Sequence, residues 1–215
     1  MEDKRIANRR IAINWRNAWS GKEFRMKTAT AGIVFLCILV SLPLFFAWIE
    51  QRQGILLNDR LLQLLPAVDV SIPTFIIIWS MTGYLIYRAL QDPAIFIVFL
   101  ISIDLLFLIR MLTIVIFPFE PPGNLIPLKD PFSSLVYGGT DVFITKDLFF
   151  SGHTSIQFLI FLSLTRRLEK WVALLSTIVI AVLVLIQHVH YTIDVCAAIL
   201  FTYLIYLAGR KLAKY

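Results

Sequence analysis

The chain has 215 residues, 59% of them hydrophobic and only 16% charged, against about 25% charged in soluble domains, so most of its surface must meet lipid. Nine Gly and nine Pro exclude a low-complexity or collagen-like chain, and two Cys cannot build a disulfide framework or a zinc site. The net charge of +6 invites a nucleic-acid reading, which the distribution of the charges argues against.

Eight Lys or Arg precede residue 28. Ala7, Ile11, Trp15, Ala18 and Trp19 fall on one helical face while Arg9, Arg10 and Arg16 lie elsewhere, so residues 1–28 read as a basic amphipathic segment resting at the cytoplasmic membrane interface. A disordered basic tail is the alternative. The first apolar run is too long and starts too late for a secretory signal peptide.

A membrane-crossing helix needs about 20 mainly apolar residues, and six stretches qualify: Thr30 to Trp48, Ile72 to Leu90, Pro93 to Phe117, Leu148 to Leu164, Trp171 to Ile186 and Tyr191 to Leu207. The runs are continuous rather than alternating, which excludes a porin-like barrel. Residues 29–215 therefore read as one all-α, six-helix integral membrane domain. Fifteen of the 20 Lys and Arg fall on one side of this arrangement, four (Arg52, Arg60, Lys129, Lys146) on the other, and Arg110 inside the third helix. The positive-inside rule then places both termini in the cytoplasm. Two loops face outward, about 50–71 and 118–147; the second carries Pro118, Pro121, Pro122, Pro127, Pro131 and the Gly138-Gly139 pair, and a loop of this length is commonly functional.

This orientation brings several ionisable groups to one depth. Arg110 lies near the outer end of the third helix, with Thr113 at the next turn. Ser151, Gly152 and His153 open the fourth helix; His190, Tyr191, Thr192 and Asp194 open the sixth. His190 and Asp194 are four residues apart, so on a helix the carboxylate can accept from one ring nitrogen and leave the other as a nucleophile or base. The second histidine, His153, is suited to donate to a leaving oxygen. First-turn amides near Ser151 and Gly152, the Ser151 hydroxyl and the Arg110 guanidinium can cradle a phosphate. The scheme needs no metal and no cofactor; two His and an Asp can also bind zinc, but Arg110 and the missing fourth ligand argue against it. His188 reads as structural, and Cys37 and Cys196, in apolar runs, read as buried small side chains.

These residues carry a resemblance. The strings KDLFFSGHTS (Lys146 to Ser155) and HYTIDV (His190 to Val195) resemble the two signature motifs of the sphingomyelin synthase family, a branch of the type 2 phosphatidic acid phosphatase superfamily. Arg110 to Pro122 is similar to the synthase pattern as well, and LLPAVDVSIP (Leu64 to Pro73) more weakly so. The resemblance implies the six-helix, outward-facing topology and makes His153, His190 and Asp194 the catalytic triad. A phospho-headgroup would pass from a glycerophospholipid to a lipid hydroxyl, such as that of ceramide or diacylglycerol, through a phosphohistidine on His190. Asp147 would support the site or cap the fourth helix.

The soluble-phosphatase pattern has Pro where Phe150 stands and Arg where Val184 stands. These departures weaken a monoesterase reading, because a dianionic monoester wants more cationic partners than a diester. A lipid phosphatase or phospholipase C-like hydrolase remains the alternative enzyme, and a non-catalytic lipid-binding or lipid-moving protein the alternative of another class. The expected partners are lipid substrates and the bilayer, not nucleic acid. A compact chain with short loops suits a bacterial inner membrane, with the site on the extracytoplasmic side.

Overall fold

The computed structural model describes residues 2–128 and 144–215, with side chains from residue 8 onward. Lys129, Pro131, Gly138 and Gly139 lie outside the described residues. Among the described residues the protein is all-helical apart from one isolated parallel bridge between Ile55 and Phe119. In chain order the helices are α1 (Glu2–Ser20), α2 (Lys22–Gln51), α3 (Arg60–Gln63), α4 (Ser71–Gln91), α5 (Pro93–Ile116), α6 (Gly152–Ser163), α7 (Arg167–Ile186) and α8 (Thr192–Leu212).

Four of them, α2, α5, α7 and α8, are long and apolar enough to cross a membrane. Their outer faces keep large apolar side chains in the open, Val40 at 75% and Leu44 at 76% exposure among them; Cys37 on α2 and Cys196 on α8, expected to be buried, are exposed as well, because an apolar run on a lipid-facing helix looks the same in sequence as a buried one. On a soluble protein such a patch would drive association; against lipid tails it is the required surface. Of the six expected spans, two fall short of that standard. α4 has 21 residues, but its Ser, Thr, Tyr and Arg88 dilute the apolar run. The stretch from Leu148 to Leu164 is helical only over the 12 residues of α6, which at about 1.5 Å per residue reach about 18 Å, less than the roughly 30 Å hydrocarbon core.

The shortness of α6 has local causes. Ser151 caps its N-terminus, and at the other end Lys170 Nζ donates to the carbonyls of Phe161 and Leu164 at 3.1 and 3.3 Å. α6 is also the innermost helix, packed by α4, α5, α7 and α8, with Leu159 and Ile160 fully buried. Beside it α5 and α8 approach closely: a Cβ on Gly209 would lie 2.1 Å from Ser102 Oγ, so only glycine admits this contact. A buried ion pair, Arg88 Nε to Glu169 Oε1 at 3.1 Å, joins α4 to α7 near the ends remote from His153, and the Tyr84 hydroxyl donates to the same carboxylate oxygen at 2.8 Å.

The amphipathic N-terminal pattern forms a helix, as its spacing predicts. Ile11, Trp15 and Ala18 turn inward, while Trp19 stays partly exposed, its ring edge-on to Phe24. At the other end of the bundle the two long connections are laced together. Ile55 N donates to Pro118 O at 2.7 Å and Glu120 N to Ile55 O at 3.0 Å. The end of α7 anchors both: Gln187 Oε1 accepts from Val70 N at 3.1 Å, and Gln187 O accepts from Ile126 N at 3.1 Å.

Candidate active site

The site is assembled at the C-terminal end of α5 and the N-terminal ends of α6 and α8. Ser151 fixes the start of α6: its hydroxyl accepts from Thr154 N at 3.4 Å and donates to Thr154 Oγ1 at 3.1 Å. Its amide donates to Asp194 O at 3.1 Å, which ties the start of α6 to the first turn of α8. The hydroxyl expected to touch phosphate is thus engaged in the cap. The Gly152 and His153 amides carry no hydrogen bond among the described residues, which leaves them as the open donors of this terminus.

Arg110 packs straight onto that terminus. A Cβ on Gly152 would meet its Nη1 at 2.6 Å and its Cζ at 2.7 Å, so the glycine of the SGH string is what lets the guanidinium lie against the helix start. Nε donates to Phe150 O at 2.8 Å and Nη2 to Asp147 Oδ1 at 2.7 Å. Nη1 has no hydrogen bond among the described residues. Asp147 pairs with Arg110, and Ser151 rather than Asp147 caps α6. The Thr113 hydroxyl stands 3.0 Å from both Arg110 O and Phe149 O and links α5 to the segment that leads into α6.

His190 precedes α8 and Asp194 sits in its first turn, with His190 Nδ1 3.5 Å from Asp194 Oδ2. The same oxygen accepts from Tyr191 N at 2.9 Å, so the carboxylate closes the helix start while facing the imidazole. Asp194 is fully buried and its Oδ1 has no partner. The His153 ring lies 6.3 Å from that of His190, centroid to centroid, and 6.1 Å from Phe75. His153 Nδ1 and His190 Nδ1 are both buried without a hydrogen-bond partner, so the 3.5 Å approach of Asp194 to His190 is a facing contact and not a hydrogen bond. The structure therefore brings Arg110, Asp147, Gly152, His153, His190 and Asp194 together. His188 stands apart in a left-handed turn (φ 57°), its Nε2 3.1 Å from Leu65 O. Among the described residues no three His, Cys, Asp or Glu side chains are grouped to hold a metal ion.

Tyr191, expected to support the site, turns its side chain to the outer connections: its hydroxyl donates to Glu120 O at 2.8 Å and accepts from Leu57 N at 3.3 Å. Other braces went unread in the sequence. Asp59 accepts from Thr192 N at 2.6 Å and from Thr192 Oγ1 at 3.1 Å, and also from Leu61 N and Leu62 N at 3.1 Å, so one carboxylate caps both α3 and α8. Burial works against its charged form, but these hydrogen bonds outweigh it and hold the Asp59 pKa below the usual carboxylate value. An Asp directly before the RLLQ run was a legible cap signal for α3; its reach to α8 had none. Glu120 pairs with Lys146 Nζ at 3.0 Å and accepts from Gly54 N at 2.6 Å. The hydrogen bond from Lys146, opposed by burial and helped by the Gly54 amide and the charges of Lys146 and Arg52, keeps the Glu120 pKa low.

Comparison with known families bears on this geometry. Residues 146–211 match the family described as PAP2 superfamily C-terminal. The match supports the type 2 phosphatidic acid phosphatase superfamily, whose members are typically lipid phosphatases or phosphotransferases, and it contains both histidine strings. It supports an enzyme of lipid phosphoester chemistry in a membrane. No curated protein and no solved structure matches the chain.

Proposed function

We propose that the protein is a lipid headgroup transferase of the sphingomyelin synthase type, a six-span bundle with both termini in the cytoplasm and the site at the extracytoplasmic leaflet. The observation that supports it best is the meeting of His153 with the His190–Asp194 pair beside an Arg110 already fixed in place. Asp194 Oδ2 faces the Nδ1 side of His190 at 3.5 Å, and a carboxylate on that side assigns Nε2 as the nucleophile.

His190 Nε2 attacks the phosphorus of a glycerophospholipid, the bond to the glyceryl oxygen breaks, and protonated His153 gives its proton to that oxygen. Diacylglycerol leaves and a phosphohistidine remains. His153, now neutral, takes the proton of a lipid hydroxyl such as that of ceramide; the oxygen attacks phosphorus, the phosphorus–nitrogen bond breaks and both histidines return to their starting forms. Arg110 Nη1 and the Gly152 and His153 amides are the donors available to the phosphoryl oxygens.

The test is to reconstitute the protein in liposomes that contain a headgroup-labelled phospholipid, with and without ceramide. Label on ceramide is the expected result, abolished in His190→Ala. Release of label into water, as phosphate or phosphobase, would instead establish a hydrolase. No reaction, with His190→Ala indistinguishable, would leave a lipid-binding protein. Turnover should survive EDTA, and loss restored by zinc would overturn the metal-free scheme. For topology, a single cysteine at Leu125 should be labelled from outside the cell by an impermeant reagent; labelling only after lysis would reverse the orientation.

A further inference from the structure

At the end of the bundle remote from His153, α1 meets the ends of other helices. Trp15 Nε1 donates to Leu90 O, in the last turn of α4, at 2.8 Å. Its ring meets Phe96, in the first turn of α5, edge-on at 5.5 Å. Ala18 packs in one cluster with Phe24, Ile97 and Ala213, the last of these just past α8. Asn14, Asn17 and Ala18 line an open cleft of about 290 Å³ with Asp92, Pro93 and Tyr215. These contacts all fall in the last two turns of α1, from Asn14 to Ala18, and seat that end of the helix on the ends of α4, α5 and α8.

The depth follows from α2. Its 30 residues reach about 45 Å at 1.5 Å per residue, about 15 Å beyond the hydrocarbon core. The Lys22 end, where α1 joins, therefore stands among the headgroups. The face of α1 turned from the protein carries Arg9, Ile13 and Arg16 at helical spacings of four and three, so the three form one stripe. Arg10 flanks it, and Ile13 and Trp19 are 47% and 45% exposed. Among the described residues none of Arg9, Arg10 and Arg16 makes an ion pair, and Lys22 and Arg25 extend the charge past the turn.

We propose that α1 is an interfacial arm that binds the headgroups of anionic phospholipids, its arginines on their phosphates and Ile13 and Trp19 at the edge of the acyl region. The charge complementarity of an unpaired arginine stripe is what selects an anionic bilayer surface over a neutral one. The inference is independent of the chemistry proposed for the histidine site.

The test uses the full chain in vesicles of equal parts phosphatidylcholine and phosphatidylglycerol, with bromine on the chains of one lipid at a time. The fluorescence of Trp19 is the difference between the wild-type protein and Trp19→Phe. Brominated phosphatidylglycerol should quench it more strongly than brominated phosphatidylcholine, since each basic group near such a surface enriches anionic contact by up to about fivefold. The difference should vanish in the combined Arg9→Gln, Arg10→Gln, Arg16→Gln variant. It should also vanish for the wild type in 1 M salt, where the Debye length is about 3 Å; this second measurement does not depend on the variant folding. Equal quenching by the two lipids would overturn the headgroup selectivity, and absence of quenching by either would overturn the interfacial placement.

Discussion

Substituting Gly152 with Ala probes the geometry of the site separately from the stability of the helix that bears it. The added Cβ would stand 2.6 Å from Arg110 Nη1, 2.7 Å from Cζ and 3.0 Å from Nη2. Ordinary contact would require the guanidinium to retreat by about 0.8 Å. It is not free to do so while Nε stays on Phe150 O and Nη2 on Asp147. A misplacement of about 1 Å in a positioning group costs roughly 100-fold in rate, or about 2.7 kcal/mol in the barrier. Stability moves little by comparison. Alanine favours the helix over glycine by up to about 1 kcal/mol, which offsets the stretching of hydrogen bonds that are worth about 1.5–3 kcal/mol when lost outright. The expected outcome is turnover of labelled phospholipid lowered about 100-fold, with a Tm in detergent within a few degrees of wild type. Wild-type turnover would refute the placement of Arg110 in the chemistry, and a collapse of Tm together with activity would refute the separation of geometry from fold.

Three further outcomes follow from the same contacts. Asp59→Ala removes the caps of α3 and α8 together and should cost about 2 kcal/mol at roughly 1 kcal/mol per cap, with Asp59→Asn closer to wild type; thermal unfolding in detergent measures both. Glu120 titrates below its ordinary value in the folded protein, so its stabilisation is complete above the unfolded carboxylate pKa and is lost as pH falls through the lower folded one. Tm measured against pH should thus fall on that acid limb, less steeply in Glu120→Gln; identical limbs would show that the Lys146 pair contributes nothing there. Gln157 is fully buried with neither amide atom bonded, so Gln157→Leu should raise Tm by removing an unmet polar group worth about 1–3 kcal/mol, whereas a lower Tm would reveal a bound water or partner.

What the sequence disclosed follows the range of the interactions concerned. Helix periods and charges stranded in apolar runs are local, so the helical architecture, Arg110, His153 and the His190–Asp194 spacing were all readable. Asp194 does face His190, at 3.5 Å and without the hydrogen bond expected of a helical pair, because His190 lies before the helix rather than in it. Ser151 shows the limit of such reading, since a hydroxyl at a helix start serves equally as a cap or as a phosphate donor, and only the position of Thr154 decides. The shortness of α6 was hidden because an apolar run shows burial, not its cause. A helix enclosed by four others is as apolar as one that faces lipid.

The contacts that no local pattern could disclose are those that join distant loops at the histidine end. Asp59 meets Thr192 across 133 positions, Tyr191 meets Glu120 across 71, and Thr145 and Lys146 meet Glu50 across 95 and 96. Lipid tails provide no hydrophobic drive to press one apolar helix on another, so polar braces in the loops are a physical means of fixing the helix starts. Those starts carry the chemistry: Lys146 adjoins Asp147, Asp147 holds Arg110, and Thr192 lies between His190 and Asp194. A loop brace that loosens should therefore disturb the spacing of the two histidines before it disturbs the packing of the helices. Asp59→Ala distinguishes these: if the site depends on the brace, activity declines at temperatures where the variant is still folded, and if activity and helicity are lost together, the braces serve the fold alone.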